Sequence, residues 1–279
     1  MINDIARKAA EEKLNVYSIA VMDETGINEI RVNPADLCTN SYSVAKAFTV
    51  TAVGMLWDQN RLRVEDKVFD ILKDEFPDGF DPKWKDVTVE HLMTHKAGFD
   101  RGFLDIDVES IKDYPNDDFL KVVLSEPLPH IPGTHFKYSD AVFYLLSRIV
   151  TKISGQRLDD FMRPVLFGTL GYQELAWSTC PHGYCMGATG LYLRTADMVK
   201  LGFVYANEGR YNGKIIVSPE WVRLVLERGY EFTQYGDTGI YAKGGMYGQM
   251  LCFSPKNHMA CAWHGYETEK SVKILLSCL

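Results

Sequence analysis

The sequence has no apolar run close to the roughly 20 residues that a membrane-spanning helix needs, which excludes a transmembrane segment. It also has no cluster of basic residues, because its 30 lysines and arginines are scattered among 37 aspartates and glutamates. The net charge is −7, and a chain of this kind offers no surface suited to nucleic acid or to an anionic membrane. We therefore expect neither nucleic acid nor a membrane as a partner.

The N-terminal segment lacks the apolar core of a signal peptide. Residues 1–14 are charged and amphipathic, with Ile2, Ile5 and Ala9 spaced for one face of a helix. This pattern predicts a structural helix. It also predicts a cytoplasmic protein, unless an export signal has been removed.

Regular cysteine spacing is absent as well. Without a secretion signal, the six scattered cysteines are expected to be reduced thiols; they are Cys38, Cys180, Cys185, Cys252, Cys261 and Cys278. Zinc ligands could come from two groups, namely Cys180, His182 and Cys185, and His258, Cys261 and His264. In a strand, however, Cys261 would face away from His258 and His264. We therefore predict no metal site and no other cofactor.

The sequence does contain enough apolar residues for one large domain or two packed lobes, since 46% of its 279 residues are hydrophobic. Strand patterns at both ends enclose a middle region of helical patterns. This order is typical of an α+β fold, with an antiparallel sheet built from both termini, flanking helices and an inserted helical subdomain. We predict a sheet lobe of 1–58 plus 185–279, a helical lobe of 59–184, and an active site in the cleft between them.

Local patterns place the main elements of this fold. Predicted strands cover 16–23, 27–32, 247–253 and 259–264. Predicted helices cover 141–153, 196–208 and 219–228, and a short helix is expected after the last strand.

Ser43 and Lys46 stand one helical turn apart, just before an apolar stretch, 47–57, that has the pattern of a buried helix. Lys46 can therefore reach the hydroxyl group of Ser43. Burial would lower the pKa of the lysine and let it take the serine proton, and the helix N-terminus would stabilise a developing oxyanion. The pair predicts a nucleophile with its base; the alternative is an ordinary serine and lysine on a surface helix.

Tyr138 precedes the predicted helix 141–153, in the tripeptide Tyr138-Ser139-Asp140. Held in a turn, its phenolic oxygen could enter a cleft, where a charged Lys46 would favour the phenolate as a base. The alternative is that Ser139 or Asp140 caps the helix and that Tyr138 only packs.

Lys243, Gly244 and Gly245 lead into the predicted strand 247–253. Glycine at an edge strand lets a substrate approach the backbone, and the lysine offers a positive charge to a carboxylate or to a polarised leaving group. A plain hairpin turn is the alternative.

In this order, the three motifs resemble the S-x-x-K, Y-x-N and K-T-G motifs of serine β-lactamases and penicillin-binding proteins. The closest resemblance is to the class C β-lactamase-related group, which includes D-alanyl-D-alanine carboxypeptidases, D-aminopeptidases, esterases and 6-aminohexanoate-dimer hydrolases. Four longer segments, 87–99, 132–139, 145–155 and 186–198, also resemble sequences of that group. The resemblance covers roughly residues 16 to 263.

The resemblance implies the fold of β-lactamases and DD-peptidases and a serine hydrolase that forms an acyl-enzyme on Ser43. It implies that Lys46 and Tyr138 move the proton, and that the backbone N–H groups of Ser43 and Met246 form the oxyanion hole. The substrate would be a small ester, amide or peptide, and the oligomeric state stays open. The residues implied in substrate binding are Asp140, Lys243, Gly244 and Gly245.

Two departures from these motifs argue against efficient β-lactamase activity. Asp140 stands where the group usually has asparagine, and an ionised carboxylate cannot donate a hydrogen bond to a substrate carbonyl. It could instead pair with Lys46, raise the pKa of that lysine and leave Tyr138 as the base. The third motif has no hydroxyl group to help bind a substrate carboxylate. We therefore expect an esterase or amidase; the alternative is a catalytically silent member that binds a peptide or cell-wall fragment.

Overall fold

Both ends of the chain contribute strands to one antiparallel sheet of six strands. The computed structural model describes residues 1–266, together with 272 and 276. An N-terminal helix packs on one face of this sheet, and most of the other helices lie in the middle of the sequence. The predicted α+β class is therefore confirmed.

The helices occupy the N-terminus, the segment after Ser43, and the long middle region. They are α1 (Ile2–Glu11), α2 (Ala45–Asp58), α3 (Val68–Ile71), α4 (Val89–Met93), α5 (Phe119–Leu124), α6 (Asp140–Ser154), α7 (Leu158–Met162), α8 (Thr195–Ala206) and α9 (Pro219–Arg228). The three long helices predicted from the sequence are confirmed as α6, α8 and α9, with ends that shift by at most two residues.

The strands form a six-stranded sheet and two smaller ones. They are β1 (Val16–Asp23), β2 (Gly26–Arg31), β3 (Cys38–Asn40), β4 (Leu175–Trp177), β5 (Leu191–Arg194), β6 (Arg210–Tyr211), β7 (Lys214–Ile215), β8 (Thr233–Gln234), β9 (Tyr241–Gly245), β10 (Gln249–Ser254) and β11 (Met259–Gly265). The large sheet has the order β2-β1-β11-β10-β9-β8, and the others are β3-β5-β4 and β6-β7. The four predicted strands are confirmed, whereas the helix expected after β11 and Cys278 lie outside the described residues.

The two faces of the large sheet are covered by different helices. Along β1, Ile19 and Val21 belong to a cluster with α1, and Ala20 and Met22 belong to the main core with α8. This alternation follows from the period of two along a strand. The main core also takes in α2 and α6, so the helices that directly follow Ser43 and Tyr138 share one packed interior.

Helix α2 is buried on every side, as the lack of a polar face in its sequence predicts. Gly54 allows Trp221 of α9 to lie directly against its backbone, because a methyl group at this position would fall 2.2 Å from Trp221 Nε1. A helix fixed on all sides gives Lys46 a rigid support. The exact division into the lobes 1–58 plus 185–279 and 59–184 stays a prediction.

Among the described residues, no helix is both long enough and apolar enough to cross a bilayer.

A buried histidine in β11 predicts that the protein loses stability in mild acid. His264 is fully buried, its Nδ1 lies 2.8 Å from Thr195 Oγ1, and burial lowers its pKa from 6.5 to about 3. Below pH 6.5 the unfolded chain therefore binds a proton that the folded protein does not. Between pH 7 and pH 5 we expect the free energy of unfolding to fall by about 2 kcal/mol, as measured by urea denaturation.

The variant His264→Asn keeps a polar group near Thr195 and should show a smaller decline between the two pH values. The matched control is His182→Ala, which removes an exposed histidine and should decline like the unmodified protein. Equal stability of the unmodified protein at pH 7 and pH 5 would contradict the prediction.

Candidate active site

Ser43 lies in a short 3-10 turn, Tyr42–Val44, that runs directly into α2. The turn is anchored by Ser41, whose hydroxyl group donates to Leu191 O of β5 at 2.8 Å and whose carbonyl accepts from Val44 N at 3.1 Å. Tyr42 has a left-handed backbone (φ 48°), a strained conformation for a residue other than glycine. The serine hydroxyl is thus held at the helix start by a firmly attached turn.

Lys46 is fully buried and makes three polar contacts. Its Nζ donates to Asp140 Oδ1 at 2.7 Å, to Ala188 O at 3.0 Å and to Ser43 Oγ at 3.2 Å. An ammonium group has three N–H donors, and each one here has an acceptor. The site is therefore built for the charged form of the lysine.

The pKa of Lys46 follows from these contacts. Burial alone would lower it, but the negative charge and hydrogen bond of Asp140 act in the opposite direction, and the pKa lies well above its ordinary value. The prediction that Lys46 has a lowered pKa is therefore wrong, because the effect of Asp140 outweighs that of burial. The alternative, in which Asp140 pairs with Lys46 and raises its pKa, is confirmed.

Tyr138 reaches Ser43 directly. Its hydroxyl group donates to Ser43 Oγ at 2.9 Å, and its side chain is 42% exposed, so it borders both the nucleophile and solvent. Lys46 Nζ lies 4.8 Å from the centre of its ring. Ser139 occupies the N-cap of α6 without a side-chain capping bond, while Asp140 turns its carboxylate to Lys46. Tyr138 and Asp140 thus do more than pack and cap.

His95 and Glu231 complete the site, and no sequence motif predicts a role for either of them. The ring of His95 stacks on Tyr138 with the centroids 4.4 Å apart. Its Nδ1 accepts from Ser139 N at 3.3 Å, so in the neutral ring the proton is on Nε2, which lies 2.8 Å from Glu231 Oε1. His95 lies within the family-like segment 87–99, which could have drawn attention to it; Glu231 carries no such signal.

Lys243 pairs with the second carboxylate oxygen of Glu231. Burial alone would raise the pKa of this carboxyl group, but Lys243 and His95 lower it to about 2. Lys243 Nζ also lies 5.5 Å from the centre of the Tyr138 ring. The two lysines of the site therefore face the same tyrosine, and each is paired with a buried carboxylate.

Gly245 brings strand β9 against the Ser43 turn. A methyl group at this position would lie 2.5 Å from Ser41 O and 3.3 Å from Ser43 N, so only glycine allows the approach. Strand β8 pairs with Tyr241 and Ala242 only, which leaves the half of β9 containing Lys243 to Gly245 without a pairing to β8. The backbone of β9, which ends at Gly245 just before Met246, therefore lies close to the backbone N–H group of Ser43.

The sequence matches a known family over most of its length. Residues 28–265 match the protein family described as Beta-lactamase. The chain belongs to this family. Among curated proteins, penicillin-binding protein 4 of Amycolatopsis lactamdurans is 30% identical over 145 residues, which cover 50% of this chain and 36% of that protein. The chain spans about a third of the length of the curated relatives that it matches first.

Several solved structures of hydrolases have a fold similar to that of this Beta-lactamase family member. A Bacillus anthracis protein assigned as a 6-aminohexanoate-dimer hydrolase has a TM-score of 0.81 at 18% identity, covering 97% of this chain and 79% of its own. A family VIII carboxylesterase has a TM-score of 0.76 at 14% identity, covering 100% of this chain and 96% of its own. Identities this low show the fold alone.

Two groups of potential metal ligands occur among the described residues of this family member. Their ligand atoms lie within 4.8 Å of one another, and they are Asp105 with Asp107 and Asp140, and Asp100 with His130 and His135. Neither contains the cysteines or histidines that the sequence suggested as zinc ligands. Burial raises the pKa of Asp105 and Asp107, and Asp140 is bound to Lys46. The first group thus adds acidic residues beside Lys46.

Proposed function

We propose that the chain is a serine hydrolase in which Ser43 forms an acyl-enzyme with small esters or amides. One observation carries the proposal: Ser43 Oγ receives hydrogen bonds from both Lys46 Nζ and Tyr138 OH, at 3.2 and 2.9 Å. A serine hydroxyl between a cation and a phenol is an activated nucleophile when the phenol loses its proton. Hydrolase relatives of the same fold support the proposal.

The pairing of Lys46 with Asp140 favours Tyr138 as the base. Lys46 has a raised pKa and keeps its proton, so it acts as a fixed positive charge that stabilises the phenolate of Tyr138. The phenolate oxygen then accepts the proton of Ser43 Oγ, reversing the hydrogen bond of the resting site. Asp140 holds Lys46 and is largely buried, which favours a positioning role over the predicted contact with substrate.

Acylation then proceeds in two steps, attack on the carbonyl carbon and expulsion of the leaving group. Ser43 Oγ attacks the carbonyl carbon while Tyr138 takes the serine proton, and the resulting oxyanion accepts from the N–H groups of Ser43 and Met246. The carbon–leaving-group bond breaks as Tyr138 returns the proton to the leaving alcohol or amine. Water repeats the same steps on the acyl-enzyme and releases the acid. Lys243, Gly244 and Gly245 would line the substrate position.

A covalent probe tests the nucleophile. We expect a fluorophosphonate to modify the folded protein at Ser43 alone, as located by peptide mass spectrometry. The unmodified protein should hydrolyse p-nitrophenyl butyrate, and reaction with the probe should abolish this hydrolysis. The variant Ser43→Ala should give neither adduct nor turnover. A folded protein without any adduct on Ser43 would argue for the catalytically silent alternative, which binds a peptide or cell-wall fragment.

A further inference from the structure

Each lysine of the site has a buried carboxylate partner before any substrate arrives. Lys46 is paired with Asp140 at 2.7 Å, and Lys243 is paired with Glu231. The exposed fractions of the Lys243 and Glu231 side chains are 11% and 4%, so water screens this second pair poorly. The charge that Lys243 could offer to a substrate carboxylate is therefore already compensated.

The compensating carboxylate is held firmly in place. One oxygen of Glu231 contacts Lys243 and the other contacts His95 Nε2 at 2.8 Å. His95 is in turn fixed by its bond from Ser139 N and by stacking on Tyr138. Glu231 therefore stays in place when an anionic substrate approaches, because by moving away it would lose the charged Lys243 at one oxygen and the His95 ring N–H at the other.

This pair lines a groove of about 400 Å³ that opens beside Tyr138 and Lys243. Two further cations border the groove. Arg228 is exposed and lies 3.5 Å from Glu90, so solvent and this pairing weaken its attraction for an anionic ligand. Lys96 is only partly buried, so solvent screens its charge as well. The end of the groove at Tyr138, whose hydroxyl group reaches Ser43 Oγ, is therefore close to neutral rather than positive.

We infer that the Glu231–Lys243 pair makes this site select acyl donors that carry no carboxylate near the scissile bond, with Glu231 as the specificity-determining residue. The inference rests on the proposed function. Neutral esters and amides lose little hydration free energy on entering a neutral groove. A carboxylate, in contrast, must give up its bound water without gaining an unpaired cation as a partner. Anionic donors such as β-lactams would be poor substrates for the same reason.

Two matched pairs of esters test the inference. One pair is p-nitrophenyl butyrate and mono-p-nitrophenyl succinate, which places the carboxylate on the acyl chain; the other is 4-carboxyphenyl butyrate and its methyl ester, which places it on the leaving group. Each kcat/KM is divided by the rate of hydrolysis by hydroxide, which removes differences in intrinsic reactivity. For the unmodified protein we expect this corrected kcat/KM to be about tenfold lower for the anionic ester than for the neutral ester in at least one pair.

The variant Glu231→Gln should raise that anionic-to-neutral ratio by about tenfold, because Lys243 is then free to attract the carboxylate. The double variant Glu231→Gln, Lys243→Met removes both charges and should leave the ratio as in the unmodified protein. It also covers the case in which the single variant does not fold. Glu126→Gln breaks an ion pair with Arg101 outside this groove and serves as the control, with no expected change.

The inference is overturned if the unmodified protein handles both anionic esters as well as the neutral ones. It is also overturned if Glu231→Gln folds without raising the ratio, or if the double variant lowers it about tenfold, since Lys243 would then already bind the carboxylate. Hydrolysis of none of the four esters would overturn the proposed function together with the inference.

Discussion

Replacing Lys46 by methionine should slow acylation of Ser43 on the order of 10³-fold and lower the free energy of unfolding by about 3–5 kcal/mol. The activity falls because the positive charge beside Ser43 Oγ and Tyr138 is lost. The stability falls because Asp140 stays buried without its counter-charge. Stopped-flow acylation by a p-nitrophenyl ester and urea denaturation measure the two effects on the same protein.

A double variant separates these two effects. In Lys46→Met, Asp140→Asn the buried pair has no charge left, so most of the lost stability should return while acylation remains slow. Asp140→Asn alone keeps Lys46 and should lower the pKa of this lysine, because an attractive negative charge is removed. Acylation by Lys46→Met within about tenfold of the unmodified protein would show that Lys46 is not needed for the chemistry.

Local patterns were sufficient for most of the fold. Helix α9 was predicted residue for residue, because proline opens it and its apolar residues repeat with a helical period. Apolar runs predicted strands β1 and β11. Because both ends of the chain were predicted to contribute to one sheet, their pairing was expected. The short strands β3, β4 and β8 have two or three residues each, too few to show a period.

The site divides in the same way between local and distant contacts. Ser43 and Lys46 are three residues apart, and helix geometry alone brings them together. The sign of the Lys46 pKa shift depends on Asp140, which is 94 residues away in sequence, and only a departure from the family motif suggested that contact. His95 and Glu231 are 136 residues apart, and no spacing rule connects such a pair.

Replacing Tyr138 by phenylalanine should slow acylation by about 10² to 10⁴-fold while leaving the fold intact. The variant removes only the hydroxyl group that reaches Ser43 Oγ at 2.9 Å, and the ring can still stack on His95. Urea denaturation should therefore give nearly the same free energy of unfolding. Fluorophosphonate labelling of Ser43 should slow in parallel with ester hydrolysis, because both reactions need the serine proton removed.

The control is Tyr192→Phe, which removes the hydroxyl group of an exposed tyrosine on β5 and should leave the acylation rate unchanged. The outcome also assigns the base. If Tyr138→Phe acylates at nearly the full rate while Lys46→Met does not, Lys46 must release its proton during the reaction despite its pairing with Asp140. If both variants are slow and only Lys46→Met is destabilised, the hydroxyl group of Tyr138 is needed for proton transfer, as expected for a base whose phenolate the buried lysine supports.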